Sequence, residues 1–175
     1  MNELIQKLEV AVLSRNPLLA EKLQPGLPVE KIKQDLKRAG IESAINPIVE
    51  LYSWRNGTVL DRDLASSKTG FAPEMVYNFT ELKRAILDMK SYKEYARYHS
   101  RLSALVGRYF PFLWDGSTGW IAVDIESSSK NHVMMIQFED DKPLREAYGS
   151  FDEFLMDVIR ANEENDSLTC FRDDH

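Results

Sequence analysis

Apolar residues fall at helical intervals along most of the N-terminal half of the chain. Leu4, Ile5, Leu8, Val12 and Leu13 recur three and four residues apart, and Asn16-Pro17 stops the pattern. Pro25-Gly26 is a turn signal, after which Pro28 is placed to open a second helix with Val29, Ile32 and Leu36 on one stripe, ended by Gly40. Asn46 and Pro47 predict a short third helix that turns Ile48, Leu51 and Tyr52 inward and stops at Asn56-Gly57. Residues 61–74 show little periodicity and read as a loop. Thr80 is expected to cap a long helix running through Leu82, Ala85, Ile86 and Met89 and on through Tyr92, Tyr95 and Leu102. Lys83, Arg84, Lys90 and Lys93 fall on its outer face, a pattern that usually means solvent exposure.

The period then changes to that of strands. Phe110 to Trp114, Trp120 to Ile125 and His132 to Phe138 are apolar runs separated by the turn-forming Asp115-Gly-Ser-Thr-Gly119 and by the polar stretch 126–131. They predict an antiparallel meander with Ile121, Val123, Ile125, Met134, Ile136 and Phe138 on its core face. The other face, with Trp120, Ala122, Asp124, Val133 and Met135, is either covered by a helix or open as a binding surface. Ser150-Phe-Asp-Glu153 has the form of a capping box opening a helix with Phe151, Phe154, Leu155, Val158 and Ile159 on one side. Helices, then strands, then a closing helix predict an α+β fold, an antiparallel β-sheet packed by several helices. The expected division is an N-terminal helical extension (1–27), one α+β domain (28–162) and a flexible acidic tail (163–175).

Length and composition agree with a single globular unit: 175 residues, 43% hydrophobic and 29% charged. No apolar run approaches the ~20 residues needed to cross a bilayer. The acidic start MNELIQKLEV is unlike a signal peptide, and Cys170 is the single cysteine, so a cytoplasmic protein without membrane contact is expected. The net charge of −6 is unevenly spread. Residues 115–175 carry five Lys/Arg against fifteen Asp/Glu, a net of −10, and residues 1–114 carry seventeen against thirteen, a net of +4. This balance argues against direct nucleic-acid binding. The acidic third is either a solvated face or a docking surface for a basic partner.

Motifs for chemistry are sparse. His99, His132 and His175 lack metal-ligand spacing, so no metal or other cofactor is expected. Gly116-Ser-Thr-Gly119 lacks the companions of a phosphate-binding loop. Ser127-Ser-Ser-Lys130 fits Ser-x-x-Lys but lies between strands without the motifs that accompany that nucleophile. Asp115 and Asp124, near Trp114 and Trp120, are the one pair that acid–base chemistry could draw on, as at a sugar-processing site. Their simpler reading is as turn and strand-end residues, and catalysis is not expected.

Three segments in order carry a family resemblance: Pro47-Ile-Val-Glu-Leu-Tyr-Ser-Trp-Arg-Asn-Gly57, Phe110-Pro-Phe-Leu-Trp-Asp-Gly-Ser-Thr-Gly-Trp-Ile-Ala-Val-Asp124 and Tyr148-Gly-Ser-Phe-Asp-Glu-Phe-Leu155. The chain thereby resembles the SUKH superfamily over residues 28–160, a group that includes fungal cell-wall assembly regulators and bacterial immunity proteins. Trp54, Asn56, Gly57, Pro111, Asp115 and Asp124 match its pattern, and the Tyr-rich stretch 91–108 departs from it. The resemblance implies an α+β fold and a non-enzymatic protein that neutralises a toxin domain by protein–protein contact, or else a regulatory interaction module. A basic, nuclease-like toxin domain would suit the acidic third. The expected partner-binding residues are Trp54, Trp114, Asp115, Trp120, Asp124, Glu126, Asp140 and Asp141, aromatics as anchors and acids as steering groups. A third reading is a small-ligand-binding protein or hydrolase using the three tryptophans with Asp115 and Asp124.

Overall fold

The computed structural model describes residues 3–43, 45–59, 70–73, 75–126 and 130–174. The loop expected at 61–74 lies largely outside them, as does Ser127–Ser129 of the Ser-x-x-Lys match. Six α-helices are described: α1 (Glu3–Arg15), α2 (Pro17–Lys22), α3 (Val29–Arg38), α4 (Asn46–Trp54), α5 (Leu82–Tyr98) and α6 (Phe151–Glu164). The strands are β1 (Leu23–Pro25), β2 (Arg55–Thr58), β3 (Asn78–Phe79), β4 (Tyr109–Trp114), β5 (Gly119–Asp124), β6 (Val133–Gln137) and β7 (Leu144–Tyr148). Short 3₁₀ helices occupy Ser100–Leu105 and Thr169–Asp174. Strands β3 to β7 form an antiparallel sheet in sequence order, and β1 pairs with β2 separately. The fold is α+β, an antiparallel sheet packed by helices.

Local sequence explains most element ends. Asn16 both stops α1 and caps α2, its Oδ1 accepting from the Leu19 N–H at 3.0 Å, with Pro17 at the first helical position. Ser150 Oγ accepts from the Glu153 N–H at 3.2 Å, and Glu153 returns to accept from the Gly149 N–H at 3.0 Å. The start of α5 departs from expectation. Thr80 is buried and its N–H donates to the Phe112 carbonyl at 2.9 Å, which leaves it strand-like and unable to cap. Asn56 does the capping from a distance: its Oδ1 accepts from the Leu82 N–H at 3.2 Å.

The sheet separates two cores. On one face Phe110, Phe112, Ile121, Val123, Ile125 and Val133 pack with α1, α4, α6 and the first half of α5. On the other, Tyr109, Trp120, Ala122, Met134 and Ile136 pack beneath Tyr92, Leu102 and Leu105. The expected face assignment was therefore out of step for β6. Trp120 pairs with Ile136 and Ile121 with Met135, so Met134 and Ile136 share the face of Trp120 and Ala122, not that of Ile121. A one-residue change of register exchanges the faces, and the connection after β5 sets that register. Of the two readings of the second face, the covered one holds: α5 and the following 3₁₀ helix close it. Pro111 sits where β4 bulges between Pro111 and Leu113, a position that tolerates the missing donor.

Four strands escaped the pattern, β1 and β2 because they lie at the Pro25-Gly26 and Asn56-Gly57 turn signals, and β3 and β7 for other reasons. β3 has only two residues, and β7 (Leu-Arg-Glu-Ala-Tyr) is an edge strand whose exposed charges hide its alternation. Residues set apart as an extension contribute Ile5, Leu8 and Val12 to the main core, where α1 lies along α6. Of residues 163–175, expected as a flexible tail, the part through Phe171 is tied in instead: Leu168 is fully buried and Phe171 stacks on Tyr77 with ring centroids 5.9 Å apart. Too few apolar residues follow Asn165 to display a period. Among the described residues, no helix is long and apolar enough to cross a membrane.

Candidate functional site

The eight residues expected to meet a partner do not converge. Trp114, Asp115, Asp140 and Asp141 lie at one end of the sheet, in or beside the β4–β5 and β6–β7 turns. Asp124 and Glu126 lie at the other, a strand length of about 17 Å away along β5. Trp54 belongs to neither group.

Three of the eight cannot meet a partner because they are interior, which corrects the expectation. Trp54 is 3% exposed, its ring centroid 6.0 Å from that of Phe71. Trp120 is 5% exposed, edge-on to Tyr92 and 4.8 Å from Phe138. Asp124 is 3% exposed and committed internally: Arg108 donates to its Oδ2 through Nε at 3.1 Å and Nη2 at 2.8 Å, while its Oδ1 accepts from the Glu126 N–H at 2.9 Å. Glu126 is exposed, yet it shares the same guanidinium at 3.2 Å. The hydrogen bond to Asp124 holds Arg108 above its ordinary pKa. These groups fasten the turn before β4 to the end of β5. Asp115 and Asp124 therefore do not form a facing carboxylate pair, and the three tryptophans do not gather around a common cleft.

The turn end is the assembled part. The Phe138 N–H donates to the Thr118 carbonyl at 3.2 Å, linking the two hairpin turns, and the Gln137 N–H donates to Pro143 at 2.9 Å. Arg101 Nη2 reaches the Phe138 carbonyl at 2.8 Å. Asp115 shapes its turn, Oδ1 accepting from the Ser117 and Gly119 N–H groups at 2.7 and 3.1 Å. A Cβ at Gly119 would run into that carboxylate and into the Gln137 amide. Trp114 is half-buried, its Nε1 donating to Ser117 at 3.0 Å and its ring covered by the Arg84 guanidinium at 5.4 Å. Beyond them Glu139, Asp140 and Asp141 stand exposed in succession, with no side-chain ion pair among the described residues.

Beneath this end lies Asp88, which sequence reasoning missed. The available signal was a carboxylate on the inward stripe of α5, beside Ala85, Met89 and Tyr92. Its Oδ1 accepts from Arg84 Nε at 2.7 Å. Burial raises its pKa, against the opposing pull of Arg84 and of the Trp120 indole. The indole lies near enough to favour the charge without meeting hydrogen-bond geometry. Among the described residues, Asp88 Oδ2, Tyr92 Oη and Trp120 Nε1 are buried without a hydrogen-bond partner.

Two open clefts flank the C-terminal segment. One, of about 620 Å³ between β7 and α6, is lined by Arg145, Tyr148, Met156, Asp157, Arg160 and Cys170. The other, of about 710 Å³, is bordered by Tyr77, Met135, Gln137, Arg145 and Phe171. The Tyr148 hydroxyl lies 2.7 Å from Asp157 Oδ2 and 3.3 Å from Cys170 Sγ. Asp157 also accepts from the Thr169 N–H, the Thr169 hydroxyl and Arg160 Nε, at 2.7, 2.9 and 2.7 Å. Burial works against its charge, but these donors outweigh it and hold the carboxyl below the ordinary value. Burial pushes the Cys170 thiol up, so it stays protonated and weakly nucleophilic at neutral pH. This cluster is a latch for the chain end. Among the described residues, no group of three or more His, Cys, Asp or Glu could hold a metal ion. Neither a protein-family model nor a curated protein matches this chain.

Proposed function

We propose that this chain is a non-catalytic binding protein that meets a basic protein partner with the turn end of its sheet. The observation that carries this reading is the succession Glu139, Asp140 and Asp141, exposed and without side-chain ion pairs among the described residues, on a turn braced by Thr118, Pro143 and Arg101. Three adjacent carboxylates on a fixed backbone raise the encounter rate with a positive surface and oppose acidic competitors. The uncovered edge of Trp114 supplies an aromatic contact beside them. The resemblance to the SUKH superfamily supports the narrower reading of an immunity protein that occludes a toxin domain.

The test is binding to a basic, nuclease-type toxin domain, followed by stopped-flow at several ionic strengths. Asp140→Lys/Asp141→Lys should slow association about tenfold at low salt and flatten its salt dependence. Equal rates and slopes for the variant and the parent would remove the acidic turn from the interface. Restored growth on co-expression with the toxin supports immunity. Binding without rescue assigns a regulatory role instead.

A further inference from the structure

A second surface, opposite in sign to the acidic turns, lies along α5. Lys83, Ile86, Lys90, Lys93 and Arg97 succeed one another at steps of three and four residues, so they form one stripe of the helix. Lys83, Lys90, Lys93 and Arg97 are exposed, and none has an ion pair among the described residues. This stripe holds four cations and one isoleucine, with the exposed Glu94 at its border as the one acid beside it among the described residues. Beside it opens a groove of about 220 Å³, lined by Ile41, Ile86, Met89 and Val106 with Lys90 and Lys93 at its rim. Val106 is 40% exposed, and Gly107, with φ +76°, has open space where a side chain would stand. Ile41 is held in place by its N–H bond to the Leu36 carbonyl at 2.9 Å, so this wall of the groove is preformed.

We propose that this groove docks an acidic, amphipathic peptide segment of a protein partner, with one apolar side chain in the slot and carboxylates on Lys90 and Lys93. Charge complementarity selects the acidic character, and the apolar floor distinguishes a peptide from a nucleic-acid backbone, which has no side chain to place there. The stripe from Lys83 to Arg97 extends about 21 Å, the length of roughly four helical turns of a ligand. The volume admits a single Leu- or Met-sized group. The site is separate from the turn end and does not rest on the function proposed above.

The experiment uses the full chain and three labelled probes followed by fluorescence anisotropy. They are a four-turn peptide with leucines four apart and Glu on the flanking positions, the same peptide with Ser for Leu, and a short single-stranded DNA. Saturable binding of the Leu peptide alone is expected, weakened about tenfold by Lys90→Glu/Lys93→Glu, equivalent to about 1.4 kcal/mol. Ile86→Ser should weaken it comparably, because the apolar side chain then loses its slot. Both variants change groove-facing positions and are checked by an unchanged thermal midpoint. Equal binding of the Ser peptide or of the DNA would overturn the proposal in favour of a plain polyanion surface. So would parental affinity in the Lys90/Lys93 variant, or self-association of the chain that the same variant abolishes.

Discussion

Gly57 adopts φ +79°, and a Cβ there would stand 2.5 to 2.8 Å from the backbone of Thr80 and Glu81. Its neighbour Asn56 caps α5, and Tyr52 donates to the Thr80 carbonyl at 2.8 Å. The Asn-Gly pair is thus a joint between α4 and α5. Gly57→Ala should cost roughly 1–3 kcal/mol in urea unfolding, from left-handed strain together with the collision. Unaltered stability would mean that the joint yields easily. Asp88 gives a pH signature of opposite sense to most acids. Its folded pKa is raised above the ordinary 3.8, so the unfolded chain releases its proton first, and stability falls as pH climbs from about that value through the raised one. Asp88→Asn should lack this decline, so its stability relative to the parent should improve with pH over that window. Parallel stability curves for the two would show that Arg84 fully compensates the burial. The surface roles assigned to Trp54, Trp120 and Asp124 failed for a simple reason: residue type suggests what a side chain can do, whereas its exposure depends on which elements cover it.

The C-terminal segment is held by Leu168 and Phe171 packing and, through hydrogen bonds, by one carboxylate. Asp157 is depressed in the folded state, so its contribution is complete above the ordinary carboxylate value and is lost as pH falls through the depressed one. Cys170 reports on this. Its thiol should react slowly with alkylating reagents at neutral pH, and Asp157→Ala, which removes the acceptor for Tyr148, Thr169 and Arg160, should speed the reaction at least tenfold through local opening. An unchanged rate would place the restraint in Leu168 and Phe171 instead. The element also shows what sequence patterns miss. α1, α3, α4, α5 and α6 have enough apolar positions for their period to be legible, Asn16 marks the end of α1 as expected, and Ser150 marks the start of α6 correctly. β3, β7 and the last turn are too short or too charged at an edge to show a period, and they form because neighbours supply the pairing.

At the scale of the molecule, α1 and α6 form a pair over one face of the sheet while α5 reaches round to the other. A chain beginning at residue 28 should therefore lose cooperative unfolding, because removing α1 strips Ile5, Leu8 and Val12 from the shared core. Cooperative melting of that fragment would restore residues 1–27 to the status of an extension. Charge is divided at the same scale, with exposed acids at the sheet's turn end and exposed cations on the outer stripe of α5, neither ion-paired among the described residues. Many of the other C-terminal acids are engaged within the fold, by Arg108 for Asp124 and Glu126 and by Arg160 for Asp157, Glu164 and Asp166. The sequence by itself determined the α+β class, most helices, three strands and the uneven distribution of charge, because periodicity and composition are local properties. Only the tertiary structure decided which face of β6 is internal, which tryptophans are interior and which acids remain for a partner. Those outcomes depend on strand register and on contacts between residues distant in the chain, and no local pattern encodes either.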